Sequence, residues 1–81
     1  MTSYIATFHT HFSAMRTHRT MAAEGVSARL SPVPRSLSAS CGTCVMYEAS
    51  EARLDLMDKD VERVVECLTP NGGYLELLRN D

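Results

Sequence analysis

Cys41-Gly42-Thr43-Cys44 is the stretch of this 81-residue sequence where residue type and spacing point most directly to chemistry. Two cysteines so placed serve thiol exchange, sulfur transfer or half of a metal site. A zinc site needs two further ligands, and the remaining cysteine, Cys67, stands beside an apolar stripe where a structural role suffices. The pattern therefore predicts no resident metal. Cys44 opens the apolar run Cys44-Val45-Met46-Tyr47, where alternation can turn it inward as a small buried hydrophobe. Cys41 lies in a polar Ser/Gly loop that has little use for a thiol in packing, and it is the candidate nucleophile.

A thiolate, not a thiol, attacks, so Cys41 needs electropositive surroundings. Arg35, His9, His11 and the amino end of a helix are the candidates to supply them. Gly42 lets the chain turn tightly or lets another sulfur approach, because it has no Cβ. Each of these residues also has a plain reading: Gly42 as a turn glycine, and His9 and His11 as polar residues at a strand-to-helix junction. His18 falls on an apolar helix face, and Met15, Met21, Met46 and Met57 have the spacing of core residues. The sequence contains no glycine-rich phosphate loop, zinc-protease helix or serine elbow. Hydrolysis, phosphoryl transfer and dinucleotide chemistry are unsupported.

The elements that must position Cys41 follow from periodicity. Tyr4, Ala6 and Phe8 alternate on one face of a first strand. Thr10 offers a cap, and Ala14, Met15, His18, Met21 and Ala22 repeat at helical spacing until Gly25, giving a helix over about 11–24. Val26, Ala28 and Leu30 alternate up to Pro32 as a half-buried second strand. A long loop from Pro32 to Ser40 then feeds a third strand at Cys44–Tyr47. Leu54, Met57, Val61, Val64, Val65 and Leu68 fit one helical stripe, with Ser50 or Asp58 as its cap. Pro70-Asn71-Gly72-Gly73 ends it, and Tyr74–Leu78 forms a last short strand.

The expected order is thus βαββαβ in one domain over residues 1–81, an α+β, ferredoxin-like fold. Its four-stranded antiparallel sheet carries two helices on one face. In that topology the first two strands run parallel, so the loops that follow them leave the same end of the sheet. Cys41 is expected beside His9, Thr10 and His11, at a helix end carrying about half a positive charge.

Composition sets the frame for partners. The net charge is −2, with the acids concentrated after Tyr47 and the first half basic. This is no nucleic-acid footprint, although a basic face could meet a small anion or an acidic partner as well as plain solvent. No apolar run is long enough to span a membrane, no signal peptide is evident, and three cysteines do not make a secreted disulfide framework. A reducing compartment, the cytoplasm, is expected.

Thr7-Phe8-His9 leading a helix, then Pro32-Val33-Pro34-Arg35, then Ser38-Ala39-Ser40-Cys41-Gly42 resemble a small bacterial selenium/sulfur carrier-like domain of unknown function. The likeness runs from Tyr4 to Tyr47. It implies a carrier rather than a true enzyme, with a carrier cysteine at Cys41. As thiolate, Cys41 would take a sulfane sulfur or selenium atom from a donor such as a cysteine desulfurase and pass it to an acceptor enzyme. The only cofactor is then that transient atom. Ser40, Arg35 and the helix end would support the anion, and Cys44 would act as resolving thiol. Two other classes stay open: an interaction module that dimerises through a sheet face bearing Tyr74 and Leu78, and a metal or redox protein using Cys41, Cys44 and a histidine.

Overall fold

The structure, a computed structural model, describes residues 1–68 and 72–80. Its elements are β1 (Thr2–Phe8), α1 (His11–Ala23), β2 (Ser27–Pro32), β3 (Thr43–Ala49), a 3₁₀ turn at Leu54–Leu56, β4 (Val61–Leu68) and β5 (Gly73–Arg79). The strands form one sheet in the order β2-β3-β1-β4-β5, and all neighbours are antiparallel. The fold is α+β, as expected, but with one helix and five strands among the described residues.

The first half follows the sequence pattern. From Tyr4 to Phe8 every residue of β1 is buried, because this central strand is covered on both faces. Tyr4, Ala6 and Phe8 join the core beneath α1, whereas Ile5 joins a second cluster on the other face. Thr10 caps α1 by accepting from the Ser13 N–H at 3.1 Å. At the other end Gly25 takes φ +76°, Val26 N–H donates to the Met21 carbonyl and Gly25 N–H to that of Ala22. This is a Schellman closure, with Val26 and Met21 sharing the core. The buried stripe of α1 is Ser13, Ala14, Thr17 and Met21, so the helix is rotated from the expected Met15 and Ala22 face. The rotation has a polar cause: Ser13 Oγ donates to Asp60 at 3.2 Å and the Asp58 N–H donates to Thr17 Oγ1 at 3.0 Å.

The expected second helix is absent. Between β3 and β4 only the Leu54–Leu56 turn is helical, and the stretch from Val61 to Leu68 is a strand. The cause is a β-bulge. In the β1–β4 ladder Thr7 opposes Arg63 and Phe8 opposes Val61, which leaves Glu62 as the extra residue. Val61 and Val64 therefore reach the same core although they are three apart, the spacing of a helix. Their β-branched side chains suit the strand. Leu56 and Met57 from the connecting segment pack against the α1-side core in place of a helix. Both crossovers of the split βαβ plan remain, because β1 and β2 flank β3 and are parallel to each other, and β3 and β4 likewise flank β1.

The expected last strand is β5, paired with β4. Pro70 and Asn71 of the expected helix stop lie outside the described residues. Tyr74 and Leu78 are half-buried against the two cores, not displayed on an open face, while Leu75 is exposed. The face opposite α1 is partly roofed by the loop between β2 and β3, whose Leu37 packs with Ile5, Cys44 and Val65.

Candidate functional site

Cys41 sits at the end of that roofing loop, two residues before β3 begins. The loop is closed at its base by Val33 N–H donating to the Gly42 carbonyl at 3.1 Å, which extends the Pro32–Thr43 pairing by one step. Gly42 takes φ +73° to make that closure, a conformation in which a Cβ is strained. The thiol is half-buried against the α1-side core, and its Sγ donates to the Thr43 carbonyl at 3.3 Å.

The residues on either side of this thiol are anchored to different elements. Thr43 Oγ1 is hydrogen-bonded to His11 Nδ1 at 3.0 Å, which ties the start of β3 to the first turn of α1. Ser40 is held by Glu62: its N–H donates to Oε1 at 3.3 Å and its hydroxyl to Oε2 at 3.1 Å. The Glu62 carboxylate also stands 3.9 Å from His9 Nδ1, and His9 Nε2 meets the Asn80 carbonyl at 3.1 Å. The parallel course of β1 and β2 thus gathers His9, Thr10, His11, Ser40, Cys41 and Gly42 at one end of the sheet.

Other expected participants are placed differently. Arg35 is exposed and has no hydrogen bond or ion pair with a described residue, so nothing joins it to Cys41. Thr10 is committed to the helix cap, giving its hydroxyl proton to Ser13 Oγ at 3.0 Å. The helix end carries no acid in its first turn, yet Asp60 already accepts from Ser13 there and offsets part of its positive potential. Cys44 is fully buried on the opposite face from the α1-side core, with its Sγ directed at the Pro32 carbonyl at 3.8 Å. Burial, and then the neighbouring Cys41, push its thiol up to about 11. Cys67 is on β4, half-buried, and burial raises its thiol too. All three cysteines are free. Among the described residues no three His, Cys, Asp or Glu side chains are grouped to hold a metal ion, and no helix is long and apolar enough to cross a membrane.

Glu62 is the participant that sequence reasoning missed, because a helical stripe through Val61, Val64 and Val65 gives it no path to the Cys41 loop. The signal lay in Val61, Val64 and Val65: three β-branched residues favour a strand, and their uneven spacing marks a bulge between them. A bulge redirects a side chain, and here it aims a carboxylate at the residue preceding the thiol.

The model of a family described as "Putative Se/S carrier protein-like" matches residues 3–69. The chain belongs to the Se/S carrier protein-like family. The match extends past Tyr47, the end of the likeness in the sequence motifs, and takes in the bulged strand β4 with Glu62 and Cys67. No curated protein and no solved structure matches the chain. What this Se/S carrier-like chain offers chemically is a half-buried thiol at a strand entry. An imidazole is attached to the next residue but one, and the preceding residue is gripped by a carboxylate.

Proposed function

We propose that the protein carries a sulfur or selenium atom on Cys41 between a donor and an acceptor protein. The observation that supports this most is the double anchoring of the loop, with Ser40 on Glu62 and Thr43 on His11, around a thiol that retains solvent access. A loop with only a packing role has no need of polar tethers on both flanks of a cysteine.

In the loading step the Cys41 thiolate attacks the outer sulfur of a donor persulfide. A new S–S bond forms at Cys41, the donor's own S–S bond breaks, and the donor cysteine leaves as a thiolate that takes up the proton. In delivery a nucleophile of the acceptor attacks the outer atom, and Cys41 departs as thiolate. Selenium carried as selenosulfide follows the same balance. His11, held at the start of β3 through Thr43, is the base assigned here to receive the Cys41 proton. Cys44, buried and with its thiol held well above neutrality, is unsuited to rapid release of the cargo without movement of the loop.

The test is intact-mass analysis after incubation with a cysteine desulfurase and either cysteine or selenocysteine, so that the atom is offered as the outer member of a donor persulfide or selenosulfide. Wild-type protein and Cys67→Ser gain one sulfur or selenium atom, and Cys41→Ser gains none. A gain that survives Cys41→Ser, or no gain with any donor, overturns the reading.

A further inference from the structure

The roofing loop covers only the half of its sheet face nearest Cys41. Beyond Pro34 the face opens as a groove of about 340 Å³. Its floor is built from adjacent cross-strand rows: Arg29, Met46 and Ile5 in one, Glu48 and Ser3 in the next. These residues lie toward the start of β1, away from Thr7, Cys44 and the thiol loop.

Two opposite charges border this groove without meeting. Arg29 and Glu48 occupy diagonal positions on β2 and β3, where opposite charges are within reach of one another. Neither forms an ion pair with a described residue. Arg29 Nη2 rests on Met46 Sδ at 3.5 Å, and Glu48 Oε2 accepts from Ser3 Oγ at 3.3 Å. A cation and an anion are thus presented side by side over an apolar floor of Ile5 and Met46. The far wall is fixed by Ser36 Oγ donating to Tyr74 Oη at 3.1 Å.

We propose that this groove binds a free α-amino acid with an apolar side chain. The carboxylate meets Arg29, the ammonium meets Glu48, and the side chain lies on Ile5 and Met46. An α-amino acid carries its two charges on groups bonded to one carbon, side by side as the two poles of the groove require. A simple acid or a simple amine leaves one pole unmatched. The volume agrees, being at the small end of the roughly 300–1,000 Å³ range of ligand sites. The concavity favours a small guest over the flat face of a second copy. The proposal is independent of the carrier reading, because it requires nothing of Cys41.

The experiment is an amide-resolved NMR titration of the full chain with L-leucine. Saturable shifts are expected at Ile5, Arg29, Met46 and Glu48. Arg29→Ala and Glu48→Ala, both at exposed positions, should each weaken binding roughly tenfold while leaving the remaining spectrum in place. 4-Methylpentanoate, lacking the ammonium, and 3-methylbutylamine, lacking the carboxylate, should bind weaker by a similar factor. Equal binding of leucine and either half-ligand overturns the proposal. So does the absence of saturable shifts, or shifts at these residues that follow protein concentration and report self-association.

Discussion

Glu62 grips Ser40 with both carboxylate oxygens, one on the backbone N–H at 3.3 Å and one on the hydroxyl at 3.1 Å. The next residue is Cys41. Replacing Glu62 with Ala should therefore loosen the thiol loop far more than the fold, with a stability cost of about 1 kcal/mol. Cys41 should become several-fold more reactive toward a small alkylating reagent. Glu62→Gln keeps an acceptor for one of the two bonds and should fall between. An unchanged Cys41 alkylation rate in Glu62→Ala would show that the tether does not govern the loop.

The three thiols should be ranked by environment. Cys41 should alkylate fastest in native protein at pH 8, Cys67 more slowly, and Cys44 only on unfolding. With the Cys44 thiol pushed up to about 11 by burial, about one molecule in a thousand has it as thiolate at pH 8, and none of its surface is exposed. Peptide mapping after timed labelling measures the order. Native labelling of Cys44 at the rate of Cys41 would contradict the placement of β3.

Gly42→Ala isolates the backbone at the site. A Cβ at Gly42 meets nothing within 4 Å, so the whole cost arises from its φ of +73°. That cost is about 1 kcal/mol. Gly25→Ala, at φ +76° and equally uncrowded, should lose a similar amount. Denaturant melts should show the two losses as equal, whereas only Gly42→Ala should alter Cys41 labelling. A Gly42→Ala protein as stable as wild type would mean that the turn readily adopts another conformation.

Acid should weaken the attachment of α1 to the segment before β4. Arg16 donates to both Asp58 oxygens at 2.9 and 3.0 Å. This guanidinium, the largest influence, lowers Asp58 from 3.8 to about 2. A depressed carboxyl stabilises the fold above its unfolded pKa, and the contribution is lost as pH falls from about 4 toward 2. Because the Arg16 side chain is 40% exposed, solvent screening limits the contribution to about 1 kcal/mol. Asp58→Asn should lose that amount at pH 7, and its deficit should shrink between pH 4 and 3. A deficit constant with pH would assign the loss to packing instead.

Much of the fold is legible in the residues because their periodicities are unbroken. Tyr4, Ala6 and Phe8, the Thr10 cap, the Gly25 stop and the edge strand ending at Pro32 all stand where their pattern places them. The meeting of the His11 turn with the Cys41 loop follows from the parallel course of β1 and β2, and that order could be read from the first half alone. The second half could not be read this way, because the bulge at Glu62 gives Val61 and Val64 a helical interval inside a strand. The helical reading hid Glu62 as well, since nothing in it brings that residue to the Cys41 loop. The exposed position of Arg35 was hidden for another reason: nothing in a non-periodic loop tells which side chains turn toward the sheet.

The bulge also makes strand pairing and loop anchoring rivals. Removing one residue from β4 would restore an even ladder with β1, normally a gain in order, but the residue to be spared is Glu62 itself. A more regular sheet would have Ser40 unheld, and a held Ser40 keeps the sheet irregular at that point. Within this strand the chain maintains a local defect in its architecture, and the defect is what reaches the thiol loop.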